Sequence, residues 1–142
     1  MYRSTNDGAE WSNKGLSNND IRCFLVRGNN LFSGADDGLF LSTDDGDSWK
    51  SIGNDIYATT HANIRALASI GSNIVAGTTD GVFISTNDGT NWTGASTGLR
   101  STYVMALAVS GTNLFAGTNG GVFLSTDNGT NWTAASAGVP NT

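Results

Sequence analysis

Cysteine, proline, histidine and glutamate each occur once in this chain of 142 residues, as Cys23, Pro140, His61 and Glu10. A single cysteine rules out an intrachain disulfide, and a single histidine gives no set of imidazoles for a zinc site or motif for a Ser-His-Asp triad. A single glutamate is a poor start for the facing carboxylate pair that most glycosidases use. Charge is scarce too: seven Lys and Arg stand against twelve Asp and Glu, a net charge of −5. No basic run compensates, so a nucleic-acid surface is excluded. The chain lacks the roughly 18 consecutive apolar residues of a membrane span and the basic-then-apolar opening of a secretory signal. Helical patterning is missing as well, because no segment repeats its apolar residues about every 3.6 positions and Gly, Asn, Thr and Ser recur throughout.

What is abundant is glycine, 19 residues, and a repeated octapeptide that carries all four tryptophans. Its copies, called boxes below, run from Ser4 to Trp11, Ser42 to Trp49, Ser85 to Trp92 and Ser125 to Trp132. The marker serines are 38, 43 and 40 residues apart, a period that signals a propeller or a solenoid and not one mixed core. An apolar run opens each later unit at Ile21, Ile64 and Val104, and the next box serine follows 21 residues on every time. From Trp11, Trp49 and Trp92 to the next opening run the distance varies instead, at 10, 15 and 12 residues. Length changes accumulate in surface connections, so the constant bodies are scaffold and the connectors are loops.

Each body reads as short strands separated by turns. Opening strands are predicted at Ile21–Val26, Ile64–Ile70 and Val104–Val109, second strands at Asn30–Gly34, Asn73–Gly77 and Asn113–Gly117, and third strands at Gly38–Ser42, Gly81–Ser85 and Gly121–Ser125. The box is the tight turn that follows, and its tryptophan starts a fourth strand. A unit of about 40 residues with four antiparallel strands is a propeller blade. The predicted fold is therefore an all-β β-propeller of about 3.5 four-stranded blades: a leading half-blade at 1–20 made of outer strands, then blades at 21–63, 64–103 and 104–142. Closed propellers have about 4 to 8 blades, and completion by self-association is expected.

The box residues have a structural part to play. Asp and Asn at the third and fourth positions are expected to accept hydrogen bonds from amides two residues on, while Gly8, Gly46, Gly89 and Gly129 supply positive φ. Ser4, Asp7 and Trp11, Ser42, Asp44 and Trp49, Ser85, Asp88 and Trp92, and Ser125, Asp127 and Trp132 complete the expected structural set. Each tryptophan is expected to bury its ring between sheets with the indole N–H near a polar loop.

The octapeptide resembles the Asp-box, or BNR, pattern Ser-x-Asp-x-Gly-x-Thr-Trp of the propellers of sialidases, some glycanases, sortilin-type receptors and photosystem II assembly factors. Asn6 and Asn87 replace the aspartate, and Glu10, Ser48, Asn91 and Asn131 take the threonine position. The resemblance covers essentially the whole chain. It implies a propeller and not sialidase activity, because one fold hosts many functions.

No enzyme is expected. The resemblance to sialidases brings with it an arginine cluster and a tyrosine nucleophile helped by a glutamate, yet Glu10 lies in a box turn and Arg3, Arg22, Arg27, Arg65 and Arg100 form no dedicated cluster in the sequence. Asp36-Asp37-Gly38 and Asp44 to Asp47 lack the spacing and distal glutamate of a calcium loop and read as turns. Cofactors and metals are expected to be none. Cys23 takes the register of Ala66 and Ala106 and reads as a buried, inert thiol. Three sequons, at Asn91, Asn128 and Asn131, come with the repeat. Two functions remain, with a glycosidase fragment a distant third: a structural protein whose partner is itself, head to tail as a ring or filament, or the rest of a longer propeller; and an extracellular or cell-surface module that binds a glycan or peptide through its connectors, where Tyr57, His61, Arg100 and Tyr103 lie.

Overall fold

The structure, a computed structural model, describes residues 1–16, 20–56 and 62–135. Its first sheet is a hairpin of β1 (Tyr2–Arg3) and β2 (Ser12–Asn13). Three four-stranded antiparallel sheets follow, each a meander in chain order. The first comprises β3 (Ile21–Arg27), β4 (Asn30–Ala35), β5 (Gly38–Ser42) and β6 (Lys50–Ile52). The second comprises β7 (Ile64–Ile70), β8 (Asn73–Thr78), β9 (Gly81–Ser85) and β10 (Thr93–Gly94), and the third β11 (Val104–Ser110), β12 (Asn113–Thr118), β13 (Gly121–Ser125) and β14 (Thr133–Ala134). The fold is thus an all-β propeller arrangement of three and a half blades.

The same local rules act in each blade. The two-residue turns between first and second strands start at Gly28, Gly71 and Gly111, with φ of 56°, 56° and 60°. A register shift recurs at Ile21/Cys23, Ile64/Ala66 and Val104/Ala106, so Arg22, Arg65 and Met105 are the extra residues of equivalent bulges. A bulge bends its strand and re-aims the inserted side chain. One departure from the all-strand expectation is a helical turn at residues 54–56, closed by the Ile56 N–H on the Gly53 carbonyl at 3.0 Å. It carries Ile56, 1% exposed, into the space between blades, where burial outweighs local propensity.

The cores lie between blades. Phe32, Leu39, Ile56, Ile64, Ile74, Ala76, Phe83 and Trp92 join the first blade to the second. Ala68, Ile70, Val75, Val82, Val104, Leu114, Phe123 and Trp132 join the second to the third. Close approach depends on two glycines. A Cβ on Gly34 would lie 2.5 Å from the Ile64 side chain, and one on Gly77 would lie 2.7 Å from that of Val104. At the matching Gly117 the nearest atom is Ala106 Cβ at 3.7 Å.

Candidate functional site

Each box closes on itself through its serine. The hydroxyl oxygen accepts the N–H of the fifth residue at 2.8 Å in every copy: Gly8 to Ser4, Gly46 to Ser42, Gly89 to Ser85 and Gly129 to Ser125. It donates to the third residue, Asn6, Asp44, Asn87 or Asp127, at 2.7–3.0 Å. That side-chain oxygen accepts in turn from the N–H of Glu10, Ser48, Asn91 or Asn131 at 2.8–2.9 Å.

This geometry differs from the expected one in two respects. The third side chain reaches four residues on, not two, because the serine already accepts the amide two residues on, that of the box glycine. The fourth residue contributes shape: Asp7, Asp45, Asp88 and Asn128 have φ of 54–58°, in the left-handed region that Asp and Asn tolerate. The acceptors in the first and third boxes are therefore Asn6 and Asn87, with Asp7 and Asp88 beside them.

The two boxes with a carboxylate at the third position are more strongly bonded. Asp44 accepts the Ser48 hydroxyl at 2.6 Å, and Asp127 accepts the Asn131 side-chain amide at 2.8 Å. These bonds, with the backbone amides of Ser48 and Asn131 and the box serines, hold both carboxyls down to about 2. The donors favour the ionised form.

The tryptophans diverge with position. Trp11, Trp49 and Trp92 donate their indole N–H to the box glycine carbonyl at 3.0–3.1 Å. Trp132 instead donates to Ala95 of the preceding blade at 2.8 Å. Trp92 and Trp132 are 6% and 3% exposed, Trp49 is half-buried against Phe24, and Trp11 is 62% exposed. Burial between sheets, expected of all four, is reached where a preceding complete blade is present.

A second cluster gathers at the bulged ends of the inner strands. The Arg22 guanidinium grips Asp36 through two bonds, at 2.8 and 2.5 Å. This pair holds the Asp36 carboxyl below its usual range. The Asn63 amide donates to the Asp36 carbonyl at 2.7 Å, and the Arg65 guanidinium stacks 5.2 Å from the centre of the Tyr103 ring. Tyr103 is thus held by a cation–π contact, whereas Arg100 is exposed and placed in none of these contacts. Tyr57 and His61 lie outside the described residues. Sequence reasoning passed over the grouping of Arg22, Arg65 and Asp36. Its signal was the shared register of the two arginines one residue after each opening Ile.

Other chemistry is thin. Glu10 is exposed in the hairpin turn. Cys23 is half-buried, and burial pushes its thiol up to about 11. Among the described residues no three His, Cys, Asp or Glu side chains are grouped as metal ligands, and no helix is long and apolar enough to cross a membrane.

Residues 1–99 match the family model described as the DUF6242 β-propeller domain. The chain belongs to that family. Among solved structures it is similar to an ancestral GH74 enzyme, with 26% identity and a TM-score of 0.75 over 94% of this chain and 21% of the enzyme. It is similar in fold to the extracellular domain of a one-component system from B. thetaiotaomicron, with 20% identity and a TM-score of 0.73 over 87% of this chain and 18% of that one. It is also similar in fold to YCF48 bound to D1 peptide, with 20% identity and a TM-score of 0.62 over 93% of this chain and 45% of that one. The propeller therefore spans less than half the length of each of these three. No curated protein matches the sequence.

Proposed function

We propose that this chain is a non-catalytic propeller scaffold that associates head to tail with a second copy through its two open blade faces. One observation carries the proposal: both faces expose positions whose equivalents one repeat along are more covered. On the hairpin side these are Tyr2, Trp11, Phe24 and Val26, the last 71% exposed. On the far side Ala106 and Ala108 are exposed, although the equivalent Ala66 and Ala68 are buried. Uncovered apolar faces of this kind mark interaction surfaces. The two faces are unlike, so their contact is heterologous, giving a ring or a filament according to the rotation. The boxes, of Asp-box type by resemblance, hold the turns and carry no reaction. Similarity in fold to an extracellular domain supports an extracellular or cell-surface setting.

Light scattering at several concentrations tests association. The expected mass exceeds that of one chain, and deletion of residues 1–14 lowers both mass and melting temperature. A single-chain mass throughout, unchanged by the deletion, overturns the proposal. Neutral polysaccharides should stay intact; turnover that disappears in Glu10→Gln would refute the non-catalytic part.

A second reading, glycan or peptide binding on the connector face with Tyr57, His61, Arg100 and Tyr103, draws support from the Arg65–Tyr103 stack and from the peptide bound to YCF48. A glycan array and a peptide array separate it from the first.

A further inference from the structure

The clefts between neighbouring blades on the outer rim differ in chemistry. The one between the first and second blades is lined in part by Lys50, Asp55 and Asp88. The one between the second and third has a volume of about 530 Å³ and, among the described residues, no acid or base in its lining. Asn73, Asn91, Asn131 and Thr93 give it amides and a hydroxyl, while Ile84 and Ala95 supply apolar surface. Its size is in the range of ordinary ligand pockets, about 300–1,000 Å³.

One wall of this cleft is β10. That strand is the last of its sheet, bonded to β9 alone. Thr93 pairs with Ile84, and the Ala95 N–H donates to the Val82 carbonyl at 2.8 Å. In an antiparallel ladder successive residues turn their N–H and C=O to opposite sides, so those of Gly94 face away from β9. Just beyond, the same edge already accepts backbone: Thr97 bridges Asn131 in parallel, and its carbonyl takes the Trp132 N–H at 2.9 Å. Open edges are usually blunted by charge, proline or a bulge. β6 begins with Lys50, but β10 consists of Thr93 and Gly94. Nor does the fold require glycine here, since a Cβ at Gly94 meets nothing nearer than Phe83 at 4.0 Å and its φ is not positive.

We propose that this cleft binds an extended, uncharged peptide segment, which adds to β10 as a fifth strand. Gly94 supplies ladder bonds through its free N–H and C=O, the mode of β-strand addition. The Asn91 side-chain amide, without a hydrogen-bond partner among the described residues, offers a donor and an acceptor to the peptide group beside it. Among the described residues the lining carries no charge, which disfavours an ionic ligand, and no aromatic ring on which a sugar could stack. This site is distinct from the open end faces and from the Arg65–Tyr103 cluster, and the proposal does not rest on either reading above.

The test is an NMR titration of the ¹⁵N-labelled full chain with acetyl-Ser-Val-Thr-Val-Ser-amide and, separately, with cellotriose. The peptide is expected to shift the backbone amides of Thr93, Gly94 and Thr97 and the Asn91 side-chain amide saturably, and the sugar to leave them in place. Gly94→Pro removes an N–H that the sheet does not use, and binding should weaken at least tenfold. Asn91→Lys leaves the backbone intact and puts an amine in the cleft; the same loss is expected, so the idea remains testable if the proline variant fails to fold. No shift at millimolar peptide, shifts caused by cellotriose, shifts centred on Arg65 and Tyr103, or variants that bind within twofold of the parent would each overturn the proposal.

Discussion

Replacing box tryptophans by alanine separates burial from hydrogen bonding. Trp92 and Trp11 each donate to their box glycine carbonyl, at 3.1 and 3.0 Å. They differ in surroundings: Trp92 is 6% exposed and packed with Phe32, Leu39 and Ile64, whereas Trp11 is 62% exposed. A buried tryptophan hides on the order of 150–250 Å², which at about 25 cal/mol per Å² corresponds to roughly 4–6 kcal/mol. Alanine retains a methyl group and the unfolded chain is already partly compact, so Trp92→Ala should cost about 3–5 kcal/mol. With less than half of its surface covered in the single chain, Trp11→Ala should cost about 1 kcal/mol in protein dilute enough to be unassociated. Urea unfolding of the parent and the two variants provides the comparison, with midpoint and slope fitted separately because a changed slope reports a changed denatured or native state. Losses equal to within about 0.5 kcal/mol would refute the reasoning, since the indole bond common to both residues would then outweigh the packing between blades.

The interlocking glycines give a paired expectation. Gly77→Ala should destabilise by about 1–3 kcal/mol through overpacking on Val104, while Gly117→Ala should be neutral or stabilising by about 0.4–1 kcal/mol, because its Cβ meets only Ala106; thermal melts of dilute protein check both. Acid sensitivity should follow Asp44 and Asp127, whose carboxyls titrate near 2 in the fold and near 3.8 when free. A lowered folded value means that their contribution is complete above about pH 4 and is lost as pH falls toward 2. Melts from pH 2 to 6 should therefore show a smaller decline in the double variant Asp44→Asn, Asp127→Asn, which copies the boxes of Asn6 and Asn87.

The strands were legible because their signals are local. Asn30–Ala35 and Gly38–Ser42 lie where a glycine turn and a short apolar run put them. The box was legible as a turn but not in its wiring, because composition does not distinguish an Asp that accepts an amide from one that bends the backbone. Contacts between blades were harder still. Trp132 bonds to Ala95, 37 residues earlier, and Arg65 meets Tyr103, so each pairing depends on how neighbouring sheets are set and not on either repeat alone. The helical turn at 54–56 escaped notice for the same reason, since what fixes it is the pocket that receives Ile56. The free edge at Gly94 leaves no mark in the sequence beyond the absence of a charge.

Because the apolar clusters sit between sheets, a single blade of this chain has almost no interior of its own. Three complete blades share two such clusters. Stability in such an array behaves like a row of coupled units, each gaining most of its free energy from the neighbour it touches. Lengthening the row by one repeat adds one full junction, while cutting a middle repeat removes two and creates one untested pairing. Evolution by duplication is therefore rewarded from the second copy onward, and a repeat whose Gly34-like notch fits the next Ile or Val can be placed at any position in the row.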